Sequence, residues 1–371
     1  MSEIHALKMP KWGLSMKEGK VIDWLVAEGA DIVVGDKLIE VETEKIAGAV
    51  EATEAGVLRR RVAAAGETLS VGAILAAVAE ASVSDADVDA FISDFQANFV
   101  PEEDDADEAG PQTERIEIDG KKLRYLKRGE GDEAAVLIHG FGGDLNGWLF
   151  NHAALAEGRT VYALDLPGHG GSAKDVSDGT LGGLAQWVEG FMDSMGLEKV
   201  HLVGHSLGGA VSIELAIRNT GRVASITLLA SAGLGSEIDG DYIEGFISAS
   251  RRKDLKPHLQ KLFADSKLVT RQLIDEVLKY KRLDGVEASL RTIASRFCPG
   301  GSQAVVLRDA LAQLDVPVLA LWGAQDEILP ATHAEGLPGR VTAHVFPDTG
   351  HMLQMEESAE VNRRVLEFWG D

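Results

Sequence analysis

Apolar and polar positions alternate with a period of two over Lys37–Glu42. Leu38, Glu40 and Glu42 fall on one side, Ile39 and Val41 on the other. After a short polar break, Ile46, Gly48 and Val50 alternate with Ala47, Ala49 and Glu51. This pattern on both sides of a turn predicts a β-hairpin, with Lys45 at its tip. The surrounding pattern repeats at an offset of 37 residues. Gly19 pairs with Gly56, Val21 with Leu58, Gly29 with Gly66, Val34 with Val71, Gly35 with Gly72, Leu38 with Leu75 and Val41 with Val78. Two copies of a strand-turn-strand unit predict a small pseudo-symmetric β-sandwich over residues 1–80, its shared glycines in turns of positive φ.

The period then changes. Val88, Phe91, Ile92, Phe95 and Phe99 are spaced as one face of an amphipathic helix over residues 85–99, which Pro101 ends. Beyond residue 113, short apolar runs alternate with helical stretches. Residues 115–119 and 123–127 read as a hairpin turning at Asp119-Gly120. Strands follow at 134–138, 161–165, 200–203, 225–229, 318–322 and 341–346. Buried strands separated by helices predict a mostly parallel sheet covered on both faces, an α/β fold over 113–371. Helical patterns at 242–250, 256–265, 270–282 and 285–296 form an insertion at about 235–315 that would cap this fold. Pro299-Gly300-Gly301 is a candidate hinge within it.

Charge separates the pieces. The chain has 371 residues and a net charge of −23, yet residues 81–112 hold ten acidic and no basic side chains. That stretch reads as an acidic linker with one short helix, which either docks onto one of the domains or a partner subunit or acts as a spacer. A flexible span of ~32 residues reaches on the order of 30 Å and holds what it tethers at millimolar effective concentration. So acidic a chain is expected to bind no nucleic acid, whose phosphates need a basic face. The single cysteine, Cys298, excludes an internal disulfide and a cysteine-rich metal site, and no metal is expected. With no apolar signal core at Met1–His5 and no run of membrane-spanning length, a cytoplasmic location and no membrane contact are expected.

Two groups of residues carry candidate chemistry. Met9-Pro10-Lys11, Gly29 and Gly35-Asp36, Glu42-Thr43-Glu44-Lys45 and Gly56 resemble a lipoyl domain. That resemblance implies covalent lipoate on Lys45, where an amide on a turn lets a dithiolane visit other sites. A biotin carrier usually has Met on both sides of its lysine, whereas here the neighbours are Glu44 and Ile46. In the second half, the strand at 200–203 runs into Gly204-His205-Ser206-Leu207-Gly208, followed by a helix. This G-x-S-x-G turn presents a serine hydroxyl at the end of a sheet. Asp326 follows a later strand and His351 comes after it, although Asp348 is a local rival to Asp326. The order Ser…Asp…His resembles the α/β-hydrolases. His139-Gly140-Phe141-Gly142-Gly143 resembles their oxyanion loop, and Leu164–Gly170 another of their loops. The resemblance implies Ser206 as nucleophile, His351 as base, Asp326 as its orienting carboxylate, and the N–H groups of Phe141 and Leu207 as oxyanion donors. His139, His169 and His205 read as residues that shape the turns, and Cys298 as a buried apolar side chain.

Conventional lipoyl acyltransferases use a His-x-x-x-Asp-Gly motif, and no histidine precedes any of the four Asp-Gly pairs at that spacing. Nothing basic follows the first domain either, so their subunit-binding module is absent or replaced. The combination present instead resembles the dihydrolipoamide acetyltransferases of acetoin dehydrogenase complexes. That family implies acetyl transfer from lipoyl-Lys45 to coenzyme A through Ser206. It also implies a thiamine-diphosphate-dependent acetoin dehydrogenase component, a dihydrolipoamide dehydrogenase and a lipoate-attaching enzyme as partners, and a homo-oligomer. A lipoyl-bearing hydrolase of an ester or carbon–carbon bond remains open, because water and a thiol can share one acyl-enzyme. A lipoate carrier with a vestigial triad is the third reading. For the polyanionic coenzyme A, the cap offers Arg251, Arg252 and Lys253.

Overall fold

The computed structural model describes residues 4–10, 12, 16–43, 47–99 and 112–370. The chain divides into two compact units, Met1–Gly110 and Pro111–Asp371.

Among the described residues, the first unit has eight strands: β1 (Ile4–Lys8), β2 (Glu18–Trp24), β3 (Asp31–Ile32), β4 (Lys37–Glu42), β5 (Ala47–Glu51), β6 (Gly56–Arg61), β7 (Thr68–Ser70) and β8 (Ile74–Ala79). They form two four-stranded sheets, ordered β1-β8-β6-β3 and β5-β4-β2-β7. A shift of 37 residues carries β4 onto β8 and β2 onto β6, so the sheets are two copies of one design. The N-terminal β1 fills the place that β5 holds in the other. The repeated apolar pairs are the core: Val21 and Leu58, Leu38 and Leu75, and Val41 and Val78 are all buried. Gly29 and Gly66 share φ near +85°, and Gly35 and Gly72 match likewise, as turns of left-handed backbone require. Gly19 is a different case. It lies within β2, where a β-carbon would stand 2.7 Å from Met9 Sδ and from Val41 Cγ1, so close packing demands it. The hairpin forms as the alternation predicts. Glu42 pairs with Ala47 across its end, while Lys45 at the tip lies outside the described residues.

Helix α1 (Asp85–Asn98) belongs to this unit. Ser84 caps it by accepting from the N–H of Asp87. Val88 is fully buried against Ala77, Ala79 and Val83, with Ile4 and Ile92 alongside. Arg59 pairs with Asp85 at 2.8 Å and Arg60 with Asp89 at 3.0 Å, and Lys8 lies over the Phe95 ring. The helix therefore docks on the β-sandwich, and its acidic face is in part a complement to the arginines of β6.

The second unit is an eight-stranded sheet. Its strands are β9 (Glu114–Ile118), β10 (Lys121–Arg128), β11 (Ala134–Ile138), β12 (Thr160–Leu164), β13 (Val200–His205), β14 (Val223–Leu229), β15 (Val318–Gly323) and β16 (Val341–Phe346). The order is β16-β15-β14-β13-β11-β12-β10-β9, parallel from β16 through β12 and antiparallel for the first hairpin. Asp119 and Gly120 turn that hairpin with φ of 49° and 77°. The helices are α2 (His152–Leu155), α3 (Leu181–Ser194), α4 (Leu207–Arg218), the cap helices α5 (Gly240–Ser248), α6 (Arg252–Gln260), α7 (Arg271–Lys281) and α8 (Val286–Phe297), then α9 (Leu353–Glu356) and α10 (Ser358–Trp369). β11 pairs with β12 on one side and with β13 on the other, so the winding direction reverses between β11 and β13. In such sheets the carboxyl ends of the strands beside the reversal form a crevice. Among the described residues, no helix is long and apolar enough to cross a membrane.

Candidate active site

β13 runs straight into α4 through a single residue, Ser206, whose φ of 52° and ψ of −117° belong to neither element. The turn is possible because its neighbours lack β-carbons. One built on Gly204 would lie 2.3 Å from Gly208 O, one on Gly208 2.1 Å from Ile138 O, and one on Gly209 2.2 Å from Ser231 Oγ. The backbone is pinned from the next strand: Ser206 N–H donates to Leu229 O, and Ser206 O accepts from Gly209 and Ala232.

Asp326 and His351 meet at 2.8 Å, His351 Nδ1 to Asp326 Oδ2. The Asp326 carboxylate is fully buried, and its Oδ1 accepts the N–H groups of Ile328 and Leu329. With one oxygen held by two donors and the other facing the ring, His351 Nδ1 carries a proton and Nε2 is left as the acceptor. Asp348, the local rival, is exposed and, among the described residues, reaches Gln325 at 3.4 Å. The histidine stands beside the serine turn. The ring of His205, the residue before Ser206, lies 4.7 Å from the His351 ring, and its Nε2–H donates to His351 O at 3.0 Å. Burial, followed by the neighbouring His351, pushes the His205 pKa well below its ordinary value, so the ring stays neutral.

The loop after β11 faces the same turn. A β-carbon on Gly140 would come within 3.0 Å of Ser206 Cβ. His139 fixes this loop. Its Nε2 accepts the Leu166 N–H at 3.0 Å, so its Nδ1–H is the donor to Gly140 O at 2.7 Å. Burial lowers its pKa and keeps it in that neutral tautomer. Among the described residues, the N–H groups of Phe141 and Leu207 donate to no protein acceptor, and Leu207 opens α4, where the helix dipole is positive. From the cap, Phe246 of α5 packs edge-on against Phe141 and would collide with any β-carbon on Gly142. His169 touches the rings of His139 and Phe141 and donates Nδ1–H to Pro167 O. Asp165 of the same loop is fully buried and holds Leu145, Gly171 and Arg124. Cys298 is buried.

Not every sequence candidate comes together here. Arg251 is paired with Asp254 and Arg252 with Asp275, both on the exposed surface of the cap. Glu356 was not singled out by sequence. It is a buried carboxylate five residues after His351, with Oε1 accepting from Gly350 and Oε2 from Ala264. Nothing marks it in the sequence, since Glu357 beside it reads the same way.

Two family models match the chain: biotin-requiring enzymes over residues 5–78 and the alpha/beta hydrolase fold over residues 135–358. The chain is 50% identical over 370 residues to the dihydrolipoyllysine-residue acetyltransferase component of the acetoin cleaving system of Pseudomonas putida, covering 99% of both chains. It is 47% identical to the component of that name from Cupriavidus necator, covering 99% of this chain and 98% of the other. Among solved structures, the meta-cleavage product hydrolase of Pseudomonas fluorescens superposes with a TM-score of 0.64 at 25% identity, over 69% of this chain and 97% of the hydrolase.

Proposed function

Because the chain belongs to the dihydrolipoyllysine-residue acetyltransferase components of acetoin cleaving systems, we propose that Ser206, His351 and Asp326 carry an acetyl group from lipoyl-Lys45 to coenzyme A. The observation that supports this most is the buried His351–Asp326 pair beside the strained Ser206 turn. The hairpin suits the attachment: β4 and β5 stay paired up to Glu42 and Ala47, which leaves only the tip to carry a group. Lipoate on Lys45 would supply the thiol chemistry that carries an acetyl group to the site.

Ser206 Oγ attacks the thioester carbonyl as its proton moves to His351 Nε2, and Asp326 stabilises the imidazolium. The N–H groups of Phe141 and Leu207 receive the oxyanion, each worth about 10²–10³ in rate. As the carbon–sulfur bond breaks, His351 would give its proton to the departing sulfur, leaving an acetyl group on Ser206. His351 then removes the proton of the coenzyme A thiol. The sulfur attacks the acetyl-serine, and the Ser206 oxygen leaves with that proton. Each exchange trades one oxygen or thiol ester for another, so excluding water is the harder task, and the cap with Phe246 over the oxyanion loop serves it.

The thiamine-diphosphate-dependent component would load the lipoyl group, a dihydrolipoamide dehydrogenase would reoxidise it, and a lipoate-attaching enzyme would modify Lys45, all in the cytoplasm. The test supplies acetyl-CoA and free dihydrolipoamide, and measures S-acetyl-dihydrolipoamide and acetate, with Ser206→Ala in parallel. Thioester that depends on Ser206 is the expected result. Acetate as the main product would favour the hydrolase reading, and transfer undiminished in Ser206→Ala would mean direct attack by the thiol.

A further inference from the structure

We propose that Glu356 is a positioning residue that ties the His351 loop to the cap, so that the base is in place only when the cap is seated; this rests on Ser206 and His351 acting as above. Glu356 ends the short helix α9 and is buried. One carboxylate oxygen accepts the N–H of Gly350, the residue before His351, at 3.0 Å. The other accepts the N–H of Ala264, in the segment that follows α6, at 2.8 Å. On the far side of the histidine, Met352 N–H donates to Leu262 O at 3.0 Å. His351 is thus flanked by two links to the same stretch, Leu262–Ala264. Space between them is nil: a β-carbon on Gly350 would lie 2.6 Å from Ala264 N and 3.1 Å from Glu356 Oε1.

The chemistry demands an acceptor on each oxygen. Gly350 and Ala264 give backbone donors, which cannot move away without moving the loop or the cap. A glutamine keeps the shape but presents one acceptor and one NH₂ group, so it can serve Gly350 or Ala264 and must set a donor against the other. A buried donor left unmatched costs more than the bond gained. The His351 loop and the cap segment would then part at one of the two contacts. Histidine misplaced by a fraction of an ångström loses alignment with Ser206, which slows the chemical step and not binding.

The test is labelling of Ser206 in the full chain by a fluorophosphonate. In that reaction Oγ bonds to phosphorus, fluoride leaves with the bonding electrons, and the serine proton passes to His351. The saturating labelling rate of Glu356→Gln is expected to fall on the order of tenfold, with the half-saturating concentration within about twofold of the unmodified protein. Ala264→Pro, which removes the cap-side donor and also fixes φ there, is expected to slow labelling at least to a similar degree. Thermal melts run beside both variants, with labelling measured well below any transition. A saturating rate unchanged in Glu356→Gln, even with a lowered Tm, would overturn the proposal and leave Glu356 a packing residue. Slowing in Glu356→Gln without slowing in Ala264→Pro would overturn the tie to the cap. No labelling in the unmodified protein would remove the serine-nucleophile reading itself, and this inference with it.

Discussion

Asp326 meets His351 at 2.8 Å from inside the protein, while Asp348, three residues from the histidine in sequence, points to solvent. Proximity along the chain is a poor guide to which carboxylate orients a base. Asp326→Asn would present an amide to Nδ1 and trap the wrong tautomer. Acetyl transfer is expected to fall on the order of 10³–10⁴-fold. Asp348→Asn should stay within about twofold in the same assay.

Gly140 places the oxyanion loop against the serine, with 3.0 Å between its would-be β-carbon and Ser206 Cβ. Gly140→Ala must push the loop or the serine turn apart. A loss of one oxyanion donor's worth, about 10²-fold in transfer rate, is expected. The folded state should remain, which a near-ultraviolet circular dichroism spectrum would check.

Acid should unfold the second unit early. His152 is buried, with Nε2 donating to Val161 O, and burial lowers its pKa from 6.5 to about 4. The unfolded chain takes up that proton near pH 6.5 and the folded chain only near pH 4. Stability is therefore present above pH 6.5 and is lost as pH falls from 6.5 towards 4, by about 3 kcal/mol for this residue. His139, His169 and His205, also depressed by burial, act in the same direction. Thermal melts from pH 7.5 to 4.5 should show Tm falling in that window. His152→Gln, which keeps a donor for Val161 O but does not titrate, should show a shallower fall.

Docking of α1 can be broken at one residue. Val88→Asp in the full chain puts a charge where no water reaches, at a cost of more than about 3 kcal/mol. Hydrogen exchange over residues 85–98 should lose its protection, while that of β13 and α4 stays as it was. Protection retained in the helix would show that the Arg59–Asp85 and Arg60–Asp89 pairs suffice to hold it.

Much of this arrangement could be read from residue order because the signals were periodic or locally punctuated. β4, β11 and β16 begin and end where the alternation or apolar run does. The Ser206 turn is spelled out by glycines whose missing β-carbons are a local necessity. Helix α6 was less legible. The pattern predicts 256–265, whereas the helix spans Arg252–Gln260, with Pro257 within it. Apolar spacing there reflects packing against neighbouring cap helices, and no N-cap side chain marks the start. The docking of α1 needed knowledge of which arginines line β6. Glu356 has no sequence signature, because the groups it accepts from at Gly350 and Ala264 are backbone donors 6 and 92 residues away. Gly19 shares the repeat yet sits within a strand, since a repeat in sequence does not say whether glycine is kept for its torsion angles or for its size.

The backbone of Ser206 also has a thermodynamic side. A serine held at φ 52° and ψ −117° costs on the order of 1–3 kcal/mol, which the strands and glycines around it must offset. Glycine at that position would shed the strain, and would give back only about 0.4–1 kcal/mol in unfolded-chain entropy. The inert Ser206→Gly protein is therefore expected to outlast the active one on heating, by a few degrees in Tm. Catalytic competence and endurance pull in opposite directions at this one residue, and a screen for stability alone would select against the nucleophile.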